Sequence, residues 1–136
     1  MSSKSGFFTE QGLDPSGRGA RDFYISQSRI RHFLRYGPAH KFFESLSIPY
    51  VLQNPSVIFS GLERENFQNG LCYAGLPPVQ YLDADVTAPP PRGMIFAVFA
   101  NADFHIFEWR WEKADSNNYG YPMDAQTRFT QIQWSR

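Results

Sequence analysis

Two apolar runs, Met94–Ala100 (MIFAVFA) and Phe104–Trp111 (FHIFEWRW), stand on either side of Asn101-Ala102-Asp103. No other feature restricts the fold of this chain as much. Short runs rich in Ile, Val, Phe and Trp, joined by three turn-forming residues, read as an antiparallel hairpin. In its second arm the odd positions His105, Phe107, Trp109 and Trp111 share one face, and the even positions Phe104, Ile106, Glu108 and Arg110 share the other. Such a strand is core on its aromatic face, or it stacks bases on Trp109 and Trp111 while Arg110 holds a phosphate. The pattern leaves open which face the remaining elements cover.

Upstream, the periodicity is helical. At 100° per residue Phe23, Ile30, Phe33 and Leu34 fall on one side, with Arg31, His32 and Arg35 opposite. Gly37-Pro38 ends that segment and opens a second, where Ala39, Phe42, Phe43 and Leu46 share a face against His40, Lys41 and Glu44. The expectation is a helical hairpin over about 21–47. Residues 1–20, dominated by Ser, Gly, Asp and Pro, read as a flexible arm. After Pro49 strands are expected: Ser56–Ser60, then Leu71–Ala74 following a turn at Asn69-Gly70, and a last one near 127–134 after the polar loop Asp115–Pro122. Pro77-Pro78 and Pro89-Pro90-Pro91 lack ladder donors, so residues 76–93 read as a surface loop that also resembles a polyproline ligand. Helices before antiparallel strands give an α+β fold, an N-terminal helical hairpin packed on a roughly four-stranded antiparallel sheet, with residues 21–136 as one domain.

With 136 residues the chain is the size of one domain, and 23 aromatic residues (thirteen Phe, seven Tyr, three Trp) supply a sizeable core. The single Cys72 excludes an internal disulfide, and its setting between Leu71 and Tyr73 reads as a buried, inert thiol. No run approaches the roughly 18 apolar residues of a membrane span, and no apolar signal-peptide core is visible. A cytoplasmic protein is expected, or one delivered without such a signal. Metal-ligand spacings, a GxSxG motif and a phosphate-binding glycine loop are all missing, so no metal or cofactor is expected.

Thirteen cationic and thirteen acidic side chains cancel, yet they are segregated: residues 1–45 carry seven Lys/Arg and four acids, and residues 46–136 carry six and nine. A locally positive helical pair can therefore hold phosphates in a neutral chain, since screening lets the near field decide. Arg31 and Arg35 are its candidate substrate-binding cations, or an ordinary solvated helix face. His40, beside Lys41 and one turn before Glu44, has the neighbours that tune an imidazole for proton transfer. His32 reads as a surface residue, and His105 as a hydrogen-bonded residue of the aromatic strand.

The stretch His40-Lys41-Phe42-Phe43, followed by Ile48-Pro49-Tyr50-Val51-Leu52-Gln53-Asn54-Pro55-Ser56-Val57-Ile58, resembles the helix-to-first-strand passage of the barnase–EndoU–colicin E5/D–RelE-like nucleases, chiefly their phage- and toxin-associated members. The resemblance implies metal-independent RNA cleavage, in which a ribose 2′-hydroxyl attacks its own phosphate. Residue chemistry assigns the roles. His40 would be the base or acid, Glu44 an orienting or proton-relay group, Lys41, Arg31, Arg35 and Arg110 the phosphate-binding cations, and Trp109 a base-stacking ring. RNA is the expected partner. The other expectation is a non-catalytic module, of immunity or phage-accessory type, that binds a cognate protein through an aromatic and Pro-rich surface.

Overall fold

The computed structural model of the protein describes residues 5–64, 67–115, 121–122 and 131–136. Its elements run β1 (Phe7–Leu13), β2 (Ala20–Ser26), α1 (Gln27–Tyr36), α2 (Ala39–Ser45), α3 (Ile48–Gln53), β3 (Val57–Arg64), β4 (Phe67–Gly75), β5 (Gln80–Asp83), β6 (Val86–Ala88), β7 (Met94–Ala100), β8 (His105–Asp115), β9 (Tyr121–Pro122) and β10 (Gln131–Ser135). One mixed sheet takes the order β1-β2-β8-β7-β4-β3-β10, with β9 added on β8. Every pairing in it is antiparallel except β2 with β8. This overturns the expected helical hairpin on about four strands: the fold is mostly sheet, and it begins with strands.

The first correction lies at the N-terminus. Residues 7–13 and 20–26 pair in register from Phe7↔Ser26 to Leu13↔Ala20, so the segment read as an arm supplies β1 and the first residue of β2, and Arg21–Ser26 supply the rest of β2. The turn between them follows from its residues. Asp14 Oδ2 accepts hydrogen bonds from the Ser16 amide (3.0 Å) and hydroxyl (2.7 Å), and Gly17 adopts φ 82°. Helix α1 starts only at Gln27, where the Ser26 hydroxyl accepts from the Arg29 amide. Gly37, at φ 78°, closes it by donating to the Phe33 carbonyl, and Pro38 precedes α2 as expected.

The second correction is α3. Ile48, Val51 and Leu52 are fully buried at i, i+3, i+4 spacing, with Pro49 in the first turn, where its missing N–H costs nothing. These three pack with Phe23, Ile58, Tyr73, Phe96, Val98 and Trp109 as the main core under the helices. A second cluster, Val57, Phe59, Cys72, Ala74, Ile95, Ala97 and Phe99, occupies the other face of the same strands. Both faces of β7 are thus buried, which explains why its sequence is an unbroken apolar run.

Parity along β8 breaks at one residue. Phe99 pairs with Glu108 but Ala100 pairs with Ile106, so Phe107 is an extra, bulged residue. Trp109 and Trp111 consequently join Ile106 under the helices, while Phe107 packs on the second cluster. The expected single face of His105, Phe107, Trp109 and Trp111 does not exist. Asn69-Gly70 lies inside β4 rather than at a turn. The 76–93 segment folds partly into the small β5–β6 ladder, separate from the main sheet, with Leu82–Thr87 exposed. Of the expected polar loop and last strand, residues 116–120 and 127–130 lie outside the described residues, and β10 occupies 131–135.

Candidate functional site

Helix α2 is joined to the sheet where β2 gives way to α1 and β8, still paired with β7 on its other side, continues past the end of β2. β2 pairs with β8 only at Tyr24↔His105 and Ile25↔Ile106. Beyond that point the Trp109 peptide faces no strand, and side chains take the place of one. The Trp109 amide donates to Glu108 Oε1 (2.8 Å), and its carbonyl accepts from the Lys41 ammonium, which also donates to Glu108 Oε1 (2.6 Å). In return Trp109 Nε1 donates to the Lys41 carbonyl at 2.8 Å. Burial acts to raise the Glu108 carboxyl, but the Lys41 hydrogen bond, the Trp109 amide and the charges of Lys41 and Arg110 outweigh it, holding its pKa below the ordinary value.

This arrangement disperses the residues expected to share one site. His40, Lys41 and Glu44 do lie together on α2. Lys41, however, is occupied by Glu108 and the Trp109 carbonyl, and His40 is exposed. Glu44 is half-buried, and one of its carboxylate oxygens has no hydrogen-bond partner among the described residues. Burial raises its pKa; Lys41 and His40 pull it down, and Glu108 pushes it up. Trp109 is fully buried, so no base stacks on it. Arg110 sits on the far face of the sheet, where its Nε and Nη2 reach Glu112 Oε1 at 2.8 and 2.7 Å and its guanidinium stands 4.9 Å from the Phe99 ring centre. Arg31 and Arg35 remain on the outer side of α1, Arg31 making only a 3.5 Å contact with Gln27.

What the structure does assemble is an outward face on α1. None of its residues is buried; Ile30 and Phe33 are partly covered where they meet the core. It contains Arg29, Arg31 and Arg35 and no acidic residue. Among the described residues none of the three forms an ion pair with a carboxylate. Leu34 (61% exposed) and Tyr36 (76% exposed) flank the cations, and His32 packs its ring 5.4 Å from Tyr36. Arg29 lies over Phe33 (5.4 Å) and Trp109 (5.7 Å), which ties the inner edge of this face to the core. The Pro-rich ladder adds apolar surface close by, since β5 packs on α2 and Leu82 and Val86 are exposed.

Compared with protein-family models, curated proteins and solved structures, the chain finds no match. The nuclease resemblance covers about residues 28–134 in outline and is specific only across 40–58. Among the described residues no group of three His, Cys, Asp or Glu side chains is placed to hold a metal ion, and no helix is long and apolar enough to cross a membrane.

Sequence reasoning found Arg31 and Arg35 but missed Leu34 and Tyr36 as members of the same face. It placed Leu34 on the buried side. A signal for Tyr36 was present: it closes a ten-residue helix with three arginines and no acid, and the next residue is the terminating Gly37.

Proposed function

We propose that this chain is a non-catalytic binding module that docks an acidic partner protein on the outer face of α1. One observation carries the reading: a helix with no buried residue presents three arginines that have no carboxylate partner among the described residues, beside two large, exposed apolar side chains. Arginine and tyrosine are enriched among the residues that carry protein interfaces, and an exposed leucine beside them has no donor to offer a phosphate backbone. The alternative, RNA cleavage, requires His40, Lys41, Arg35 and Arg110 around one phosphate. That requirement is at odds with a Lys41 bound to Glu108 and an Arg110 on the opposite face of the sheet.

The test uses two defined probes, an amphipathic peptide of alternating Glu and Leu and a single-stranded RNA, titrated into labelled protein in EDTA. The peptide is expected to shift the amides of Arg29–Tyr36 and to weaken steeply as salt rises from about 50 to about 300 mM. Tyr36→Ala and the Arg31→Glu/Arg35→Glu pair should each lower affinity about tenfold or more, while circular dichroism at the working temperature still shows a folded protein, because neither site is buried. RNA cleavage that is lost in His40→Ala would overturn the proposal and restore the nuclease reading.

A further inference from the structure

A second site lies away from the helices, at the opposite end of β2. Strand geometry first fixes which way its backbone groups point. The Tyr24 amide donates to the Phe104 carbonyl (3.0 Å), so Tyr24 faces β8. On the other edge, Gly19 accepts from Asp14 and Gln27 donates to Gly6, so the odd residues of β2 face β1. Backbone groups alternate in direction along a strand. Ala20 and Asp22 must therefore aim their N–H and C=O groups the same way as Tyr24, but β8 does not reach them.

Phe104 is the reason. It is the one non-glycine residue with positive φ (66°) among the described residues, a left-handed conformation that is strained for any residue with a Cβ. Its amide bonds to the Asn101 carbonyl, and the Asn101 side chain accepts from the Asp103 (2.9 Å) and His105 (3.0 Å) amides. The tightly held turn swings the chain off the line of β8 immediately before His105. A cleft of about 570 Å³ opens between Ala20–Asp22 on one side and Ala102–Phe104 on the other. Phe104 also shapes one wall: its ring meets Phe23 edge-on at 5.4 Å and lies 4.0 Å beneath the Arg21 guanidinium. Arg21 keeps its charge over that ring, but among the residues lining the cleft the two carboxylates, Asp22 and Asp103, outnumber that one cation.

We infer that this cleft binds an extended peptide, which adds a short strand to the stretch of β2 that β8 does not reach, on the side facing β8, and places a Lys or Arg side chain against Asp22 and Asp103. The four outward backbone groups of Ala20 and Asp22 match an extended chain and little else, because a peptide strand repeats its donors and acceptors at the same spacing. Peptide-binding domains use open sheet edges in this way, with main-chain bonds supplying affinity and alternate side-chain contacts supplying selectivity. The site is separate from the α1 face and does not depend on it.

The probe is the capped pentapeptide acetyl-TKVKT-amide, titrated into the labelled 136-residue protein. Amide shifts are expected at Ala20–Tyr24 and Asn101–His105, and hydrogen exchange of the Asp22 amide should slow about tenfold or more at saturation. Replacing both lysines by Glu should weaken binding about tenfold, and N-methylating alternate peptide amides should abolish it. Asp22→Pro removes an outward donor together with the carboxylate and should eliminate binding, whereas Asp22→Asn removes the charge alone and should retain binding with affinity reduced about threefold, so the difference between the two variants reads the backbone donor. Equal binding of the N-methylated peptide to the wild-type protein would overturn strand addition without reference to any variant. So would shifts confined to α1, or no shifts at millimolar peptide. Concentration-dependent dimers protecting the same amides would assign the edge to a second copy and overturn the peptide assignment.

Discussion

Lys41 illustrates how much a side chain's surroundings decide what its charge can do. On its own helix it looks like a phosphate ligand beside a histidine. In the fold its ammonium reaches 68 positions along the chain to complete the hydrogen bonding of a strand edge. Lys41→Met keeps the apolar stem but leaves the Trp109 carbonyl without its donor and takes the charged donor from the half-buried Glu108 carboxylate, which keeps the Trp109 amide. Losing one partner of such a group typically costs about 1–3 kcal/mol. The variant should lower the urea midpoint accordingly, and adding Glu108→Gln should recover part of the loss, because the two residues share one interaction. Strictly additive losses in that double-mutant cycle would mean that the pair does not act as a unit. Nothing near position 41 in the sequence announces this partner. The candidate site was legible as a list of cations and histidines, and its geometry was not, because the contacts that separate those residues are long-range.

At the level of elements, legibility followed the strength of local signals. The β7–β8 hairpin and the Gly37-Pro38 break were readable, since apolar runs and helix stops act over a few residues. The Phe107 bulge was not: one inserted residue leaves composition unchanged and reverses the parity of everything before it. Segment Arg21–Ser26 continues a helical pattern, yet it is a strand because β1 lies beside it, a tertiary partner overriding a local preference. β1 itself (FFTEQGL) is polar and contains Gly12, so it reads as a tail. That glycine is needed: a Cβ there would lie 2.8 Å from both Leu52 and Phe23. If β1 is a structural strand, deleting residues 1–18 uncovers Phe23 and α3 and should abolish cooperative unfolding or drive aggregation. If the segment were only an arm, the truncated chain would melt like the intact one. A thermal scan followed by circular dichroism separates the two outcomes, and the first is expected.

For the molecule as a whole, the two carboxylates at the junction of α2 and β8 set opposing dependences on pH. Glu108 has its folded pKa lowered, so its contribution is present above the unfolded carboxylate value near 4.3 and disappears as pH falls through the folded value. Glu44 is shifted upward, chiefly by burial, so its contribution is present below that unfolded value and disappears as pH rises through the folded one. In the intact protein the two partly cancel across the carboxylate range, which flattens the acid limb of the stability curve. Glu44→Gln removes the rising term and leaves the falling one. The variant should match the wild type most closely in acid, exceed it at neutral pH by about a few tenths of a kcal/mol after solvent screening, and lose stability more steeply on acidification. Urea midpoints collected from about pH 3 to about pH 7 read the difference directly. Parallel curves for the two proteins would show that Glu44 titrates alike folded and unfolded, and would remove the opposition between these groups.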